Sequence, residues 1–154
     1  MVKSYLTNNR SQTERIGGSF AKSILKRYPA KRAIVFGLEG DLGGGKTTFL
    51  QGFAKGLGIR EKILSPTFIL MRRMEIKNSC FENFYHLDCY RVEGPKDILS
   101  LSFKRIIANP RNIVAIEWAD RIKKILPRGY VRLRFEFIDK NKRKITVRNG
   151  KNGK

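Results

Sequence analysis

The chain has 154 residues, 41% of them hydrophobic, which suits one domain with its own core and argues against a disordered chain. No apolar run is long enough to span a membrane, Met1–Arg10 lacks the apolar segment of a secretory signal, and Cys80, Cys89 and His86 have no metal-ligand spacing. The formal net charge is +20, which points away from an acidic or neutral surface and leaves two readings: a basic face for RNA or an acidic partner, or lysine-rich solvated faces.

In chain order, Ser11-Gln12-Thr13-Glu14 has capping-box spacing, with Ser11 as N-cap. The helix it opens carries Ile16, Phe20 and Ile24 on one face and Arg15, Lys22 and Lys26 on the other, and Pro29 ends it. Ala33-Ile34-Val35-Phe36-Gly37-Leu38 is nearly unbroken apolar sequence, as expected of a parallel strand covered on both faces. Residues 40–48 then read Gly40-Asp41-Leu42-Gly43-Gly44-Gly45-Lys46-Thr47-Thr48, the full phosphate-loop pattern G-x-x-x-x-G-K-[ST]. Gly40 and Gly45 admit backbone conformations that a Cβ opposes, so consecutive N–H groups can turn around a phosphate. Lys46 brings an ammonium to the β- and γ-phosphates, and the Thr47 hydroxyl is a candidate Mg²⁺ ligand. Phe49, Leu50, Phe53, Ala54 and Leu57 follow at helical spacing, and Gly58 supplies the stop.

Ser65-Pro66-Thr67-Phe68 opens an extended run through Ile76. A turn at Lys77-Asn78-Ser79 and a second run from Phe81 to Tyr90 predict a β-hairpin. Asp88, near the end of that run, is an acid among apolar and aromatic neighbours and a catalytic candidate. Gly94-Pro95 starts a helix whose apolar face is Ile98, Leu99, Phe103, Ile106 and Ile107, and Asn109-Pro110 ends it. Asn112-Ile113-Val114-Ala115-Ile116-Glu117-Trp118 is an apolar strand ending in an acid. Downstream of a phosphate loop this marks Glu117 as the carboxylate directed at Mg²⁺ and water. Trp118 reads equally as core packing, a lid or a partner contact. Asp120–Leu126 is a short basic helix. Residues 130–137 alternate as a half-exposed antiparallel strand, 143–148 return as a Lys/Arg-loaded edge strand, and 149–154 read as a disordered tail.

The base excess sits at the two ends. Residues 1–32 carry eight Lys/Arg against Glu14, and residues 121–154 carry thirteen against Glu136 and Asp139, whereas residues 33–120 carry twelve against ten acids. Both cysteines read as small core hydrophobes and the protein as cytoplasmic, with no membrane partner.

Four stretches, GDLGGGKTTF at 40–49, SPTF at 65–68, HLDCYR at 86–91 and IEW at 116–118, occur in the order and at the separations of the TsaE (YjeE) family, and the likeness covers nearly the whole chain. The chain thus resembles P-loop ATPases of bacterial tRNA threonylcarbamoyladenosine synthesis. The resemblance implies Mg²⁺–ATP hydrolysis, weak alone, in concert with the TsaD and TsaB proteins, which modify the adenosine beside the anticodon. It implies that Gly43, Gly44, Gly45, Lys46, Thr47 and Thr48 hold the phosphates and that Thr47 and Glu117 hold the metal. Asp88 is placed near the γ-phosphate, Thr13 near the nucleotide base, and Trp118 beside Glu117. Thr67 falls where a switch loop would sense the γ-phosphate. The chain departs from the family at Gly44, where Ala is common, and at Ser102, where a glycine is frequent; at Gly44 only a looser loop is expected.

The expected fold is an α/β three-layer P-loop domain spanning residues 1–148, with a mainly parallel sheet and antiparallel hairpin additions. Two other functions fit parts of the sequence: a small-molecule P-loop kinase, and a nucleic-acid-binding module with a regulatory ATP site.

Overall fold

The computed structural model describes residues 2–64 and 70–149. Its elements are β1 (Val2–Thr7), α1 (Arg10–Leu25), β2 (Ile34–Gly40), α2 (Lys46–Gly56), β3 (Met71–Glu75), β4 (Asn83–Asp88), α3 (Pro95–Leu99), α4 (Phe103–Ala108), β5 (Asn112–Glu117), a 3₁₀ helix (Ala119–Ile125), β6 (Val131–Phe137) and β7 (Arg143–Asn149). The strands form one sheet in the order β1-β7-β6-β2-β5-β4-β3. The contiguous strands β6, β2, β5 and β4 are parallel; β7 and β3 run antiparallel to their neighbours.

Residue alternation assigns the two faces. Phe36, Leu38, Phe84, Ile113, Ala115, Leu133, Phe135, Ile145 and Val147 point toward α1 and α2. Val35, Leu87, Val114 and Ile116 point toward α3, α4 and the 3₁₀ helix. Helices on both faces of a mostly parallel sheet make the expected three-layer α/β architecture.

Helices α1 and α2 approach at backbone distance. A Cβ on Gly17 would lie 2.9 Å from the Phe53 amide nitrogen, and one on Gly52 would run into the backbone of Glu14. Only glycine permits this approach, and it seats the start of α1 beside the phosphate loop. α2 ends as its sequence foretold. The amide of Gly58 (φ 81°) donates to Lys55 O and that of Ile59 to Ala54 O, a Schellman pair.

Several expectations change. The N-cap of α1 is Asn9, not Ser11: Asn9 Oδ1 accepts from the Gln12 amide at 2.8 Å, and Gln12 Oε1 accepts from the Asn8 amide at 2.7 Å. The capping box therefore lies two residues earlier, and α1 ends at Leu25, ahead of Pro29. The strand from Arg143 is not an edge. β1, unforeseen because VKSYLT lacks the period-two alternation that marks a strand, covers it from Val2↔Arg148 to Thr7↔Arg143. Residues 130–137 pair parallel to β2 as well as antiparallel to β7, so β6 joins the parallel core to the outer strands. The helix expected over 95–107 is two helices, broken at Ser102, which holds φ 61°, ψ 31°. That left-handed conformation strains any residue with a Cβ. It gives a physical reason for the glycine that the family resemblance leads one to expect there.

Asn149 belongs to β7, opposite Val131. The rest of the supposed tail, and the Thr67 loop, lie outside the described residues. Cys89 is buried as expected, and burial pushes its thiol up to about 12, but Cys80 is exposed in the β3–β4 connection.

Candidate nucleotide site

The chain leaves β2, travels outward to β4 and returns to set β5 against β2, with β6 on the opposite flank. The crevice at the carboxyl ends of such strands is where open α/β sheets bind ligands. The 40–48 loop emerges there. Gly40 holds φ 122° with the Phe135 backbone where a Cβ would be, and Gly45 holds φ 100° as the N-cap of α2. Gly44 is more than a loosened alanine. A Cβ there would meet Asp41 O at 2.9 Å and Phe135 Cβ at 3.1 Å, so the loop is packed for glycine.

Lys46 is 5% exposed, and its Nζ donates to Gly40 O and Asp41 O at 2.9 Å each. The same nitrogen lies 4.1 Å from the centre of the Trp118 ring, a cation–π contact. Burial lowers its pKa, opposed chiefly by the negative charges of Glu117 and Asp41.

Glu117 closes β5 on the α2 side of the sheet. Its Oε1 accepts from Thr47 Oγ1 at 3.1 Å, and its Oε2 lies 2.7 Å from His86 Nε2, with both side chains buried. The phosphate loop and the strand-end acid, 70 residues apart, are thus in direct contact. Parallel pairing places Asp88 of β4 beside Glu117 in register. Asp88 Oδ1 accepts from the Tyr90 amide at 3.0 Å. Burial raises the Asp88 pKa, and the nearby Glu117 charge adds to that, against the Tyr90 amide and the positive charges of His86 and Lys46.

A cavity of about 380 Å³ opens over the loop, lined by Gly43 to Thr48, Thr13, Glu117, Trp118 and, from β7, Arg143. Thr13 is buried, with its hydroxyl 2.8 Å from that of Thr7. Trp118 takes a left-handed backbone (φ 57°) and packs against Tyr90, ring centres 5.1 Å apart and planes tilted by 54°, with the Arg121 guanidinium 5.7 Å and 5.9 Å from the Tyr90 and Trp118 ring centres. Of the residues singled out in the sequence, Thr13, the loop glycines other than Gly40, Lys46, Thr47, Thr48, Glu117 and Trp118 line one cavity. Gly40 underlies it through the Lys46 bond, and Asp88 is joined to it through the β4–β5 register.

Two contributors escaped the sequence reading. His86 precedes Asp88 by two, the strand spacing that puts both on one face, so its contact with Glu117 was open to inference once Asp88 was suspected. Arg143 had no signal. Its Nε donates to Gly43 O at 2.7 Å across 100 residues, and its guanidinium lies 4.4 Å from the Phe137 ring.

The donor set fits Mg²⁺–ATP: a hydroxyl and a carboxylate 3.1 Å apart, an ammonium beside them, and loop amides at the start of a helix. Among the described residues, no cluster of three or more His, Cys, Asp or Glu side chains forms a self-sufficient metal site. A metal here would complete its shell with phosphate and water, as Mg²⁺ commonly does.

A family model described as "Threonylcarbamoyl adenosine biosynthesis protein TsaE" matches residues 7–145. Proteins named tRNA threonylcarbamoyladenosine biosynthesis protein TsaE are among the relatives. The one from Rickettsia felis is 32% identical over 92% of this chain and 77% of its own length. That from Nostoc sp. is 41% identical over 71% and 67%, and that from Bacillus subtilis 37% over 76% and 70%. The crystal structure of Bacillus subtilis YdiB superposes with a TM-score of 0.71 at 28% identity, covering 99% of this chain and 87% of that one.

Proposed function

The chain belongs to the TsaE family of tRNA threonylcarbamoyladenosine biosynthesis, and from that premise we propose that it is a Mg²⁺-dependent ATPase acting with TsaD and TsaB in the cytoplasm. The single observation that carries this reading is the Thr47–Glu117 hydrogen bond. It brings together a phosphate-loop hydroxyl and a strand-end carboxylate, the two side chains that would hold a divalent metal.

In this reading the amides of residues 43–48 and Lys46 bind the triphosphate, and Thr47 and Glu117 hold the ion. A Mg²⁺ held there would supply positive charge against the phosphate oxygens. Lys46 exchanges its bonds to Gly40 O and Asp41 O for phosphate oxygens. That movement draws its ammonium from the Trp118 ring and couples occupancy to the Tyr90–Trp118–Arg121 cluster. His86 holds Glu117 Oε2, leaving Oε1 directed at Thr47. Asp88, anchored through Oδ1 and with its pKa raised by burial, orients or deprotonates the attacking water, or relays γ-phosphate loss to the 65–68 loop. Thr13 closes the pocket on the side of α1. Residues 1–148 act together as one ATPase domain.

The test is ATP hydrolysis by the purified chain alone and with its own TsaD–TsaB pair, with Lys46→Ala as blank. Low activity alone and strong activation by the pair are expected. Turnover indifferent to the pair would overturn the partnership, and γ-phosphate transfer to a metabolite would turn the reading to a kinase.

A further inference from the structure

β1 pairs with β7, so β7, within the basic C-terminal segment 121–154, lies beside the N-terminal strand at one end of the sheet. On β6, β7 and β1 the residues facing α1 are apolar or buried at Leu133, Phe135, Ile145, Val147 and Thr7. The residues of the opposite face are Arg132, Arg134 and Glu136 on β6, Lys144, Thr146 and Arg148 on β7, and Val2, Ser4 and Leu6 on β1. Over β2 this side of the sheet is covered by the 3₁₀ helix and Tyr130. Beyond β6 no described element covers it: Arg134, Lys144, Arg148, Val2, Ser4 and Leu6 are all exposed.

Charge is unbalanced on this face. Arg132 is held by Glu39, with Nε and Nη2 each 2.8 Å from Oε2. The register puts Arg132 directly opposite Arg148, a like-charge cross-strand pair that is unfavourable by itself. Glu136 stands opposite Lys144 and is the only acid among these strand residues. Among the described residues, no ion pair engages Arg134, Lys144 or Arg148. Exposed Lys123 and Lys124 continue the positive charge along the 3₁₀ helix that borders the face. A lysine-rich composition merely spread over solvated surface would intersperse acids, as residues 33–120 do with ten acids to twelve bases.

The geometry points to this open β6-β7-β1 face as a binding surface for the phosphate backbone of a structured RNA, engaged by Arg134, Lys144 and Arg148. Arg134 stands opposite Thr146, diagonal to both Lys144 and Arg148 at about 8 Å, and Lys144 and Arg148 are about 14 Å apart along β7. That is a fixed lattice of cations, and two of the three carry guanidinium forks that match phosphate oxygens. The face has no Phe, Tyr or Trp, so it is not a platform for stacking unpaired bases. Recognition is therefore by backbone, tolerant of sequence and steep in salt. RNA is favoured over an acidic protein because the family works on tRNA and because the apolar content of the face is confined to Val2 and Leu6 on the edge strand. None of its three bases lines the nucleotide cavity, and binding there does not depend on ATP hydrolysis.

The test uses the full chain and a fluorescent tRNA transcript, titrated at 50 to 200 mM salt, with polyglutamate and phosphatidylserine vesicles as competing polyanions. Three phosphate contacts predict a log–log salt slope contribution of about −2.7, or roughly 40-fold weaker binding across that range. The triple substitution R134Q/K144Q/R148Q should weaken tRNA binding at least about 10-fold at 50 mM salt and flatten the slope by nearly 3. The charge-matched control K22Q/K26Q/K31Q, placed on α1 and the connection after it, should change both far less. Trp118 fluorescence on adding ADP should be unaltered in the triple variant, which keeps this test separate from the ATPase reading. If the triple variant melts early, R134Q and R148Q singly should each lower the slope by about 1. Equal losses in the control, an unchanged slope in the triple variant, or polyglutamate or vesicles competing as well as unlabelled tRNA at equal charge would overturn the proposal.

Discussion

The charged groups at the phosphate loop and those on the open β6-β7-β1 face obey opposite rules. At the loop, Lys46, His86 and Glu117 are nearly inaccessible to water, and each is satisfied by a named partner: two carbonyls, a carboxylate, and a hydroxyl with an imidazole. On the open face Arg134, Lys144 and Arg148 are hydrated and carry no ion pair among the described residues. A buried charge must be partnered because water is absent, so losing a partner leaves the full desolvation cost on the one that remains. An exposed charge needs no partner and is available to a ligand. The same residue types are therefore architecture in one region and surface potential in the other.

The contrast is open to attack at its strongest point first. Glu117→Ala should reduce ATP turnover by at least about 100-fold, roughly 2.7 kcal/mol of transition-state stabilisation, while ADP affinity read from the single Trp118 changes only a few-fold. Full turnover in that variant would remove Glu117 from the reaction. Next is His86→Leu, which strands Glu117 Oε2 and should destabilise the fold by about 1–3 kcal/mol in urea melts, with little dependence on salt. His86→Gln, which restores an N–H donor, should recover part of that loss. A salt-sensitive loss would mean that the pair behaves like a surface contact and that the contrast fails.

Asp88 gives a smaller, pH-dependent effect. Its pKa is raised by burial above the ordinary 3.8, so within the window from that value up to the folded one the native state binds the extra proton. Its contribution to stability is then present at low pH and lost as pH rises through that window. Asp88→Asn, which can still accept from the Tyr90 amide, should therefore be more stable than the parent at neutral pH and no more stable at pH 3, by thermal melts at both values. The smallest effect is expected on the open face: Arg134→Gln or Arg148→Gln should shift stability by less than about 0.5 kcal/mol, because both are exposed and neither makes an ion pair among the described residues. A large loss there would show that the charges are structural and sharpen the line between the regions elsewhere.

Most of the nucleotide site was readable before the fold because its chemistry is local. A phosphate loop needs glycine at particular backbone angles, then lysine and a hydroxyl, within eight consecutive residues, and Gly40, Gly45, Lys46 and Thr47 supply them. Strand endings are local too, so Glu117 and Asp88 could be suspected from an apolar run that closes on an acid. The Schellman stop at Gly58 and the three-layer class followed from short-range pattern in the same way.

What linear order left open depends on pairing at long range. The sequence by itself determined the loop, the apolar faces, the α/β class and the family likeness, because each rests on residue type and spacing within one element. Only the tertiary structure decided that β1 covers β7, that β6 faces β2 in parallel, and that the helix after Pro95 breaks at a left-handed Ser102. It alone brought Arg143 to Gly43 and His86 to Glu117, and set the bases of β6 and β7 side by side on one face. The physical reason is that a strand's partners are set by burial of the whole sheet. A half-polar strand such as VKSYLT gains its place only when a neighbouring edge exists to receive its hydrogen bonds.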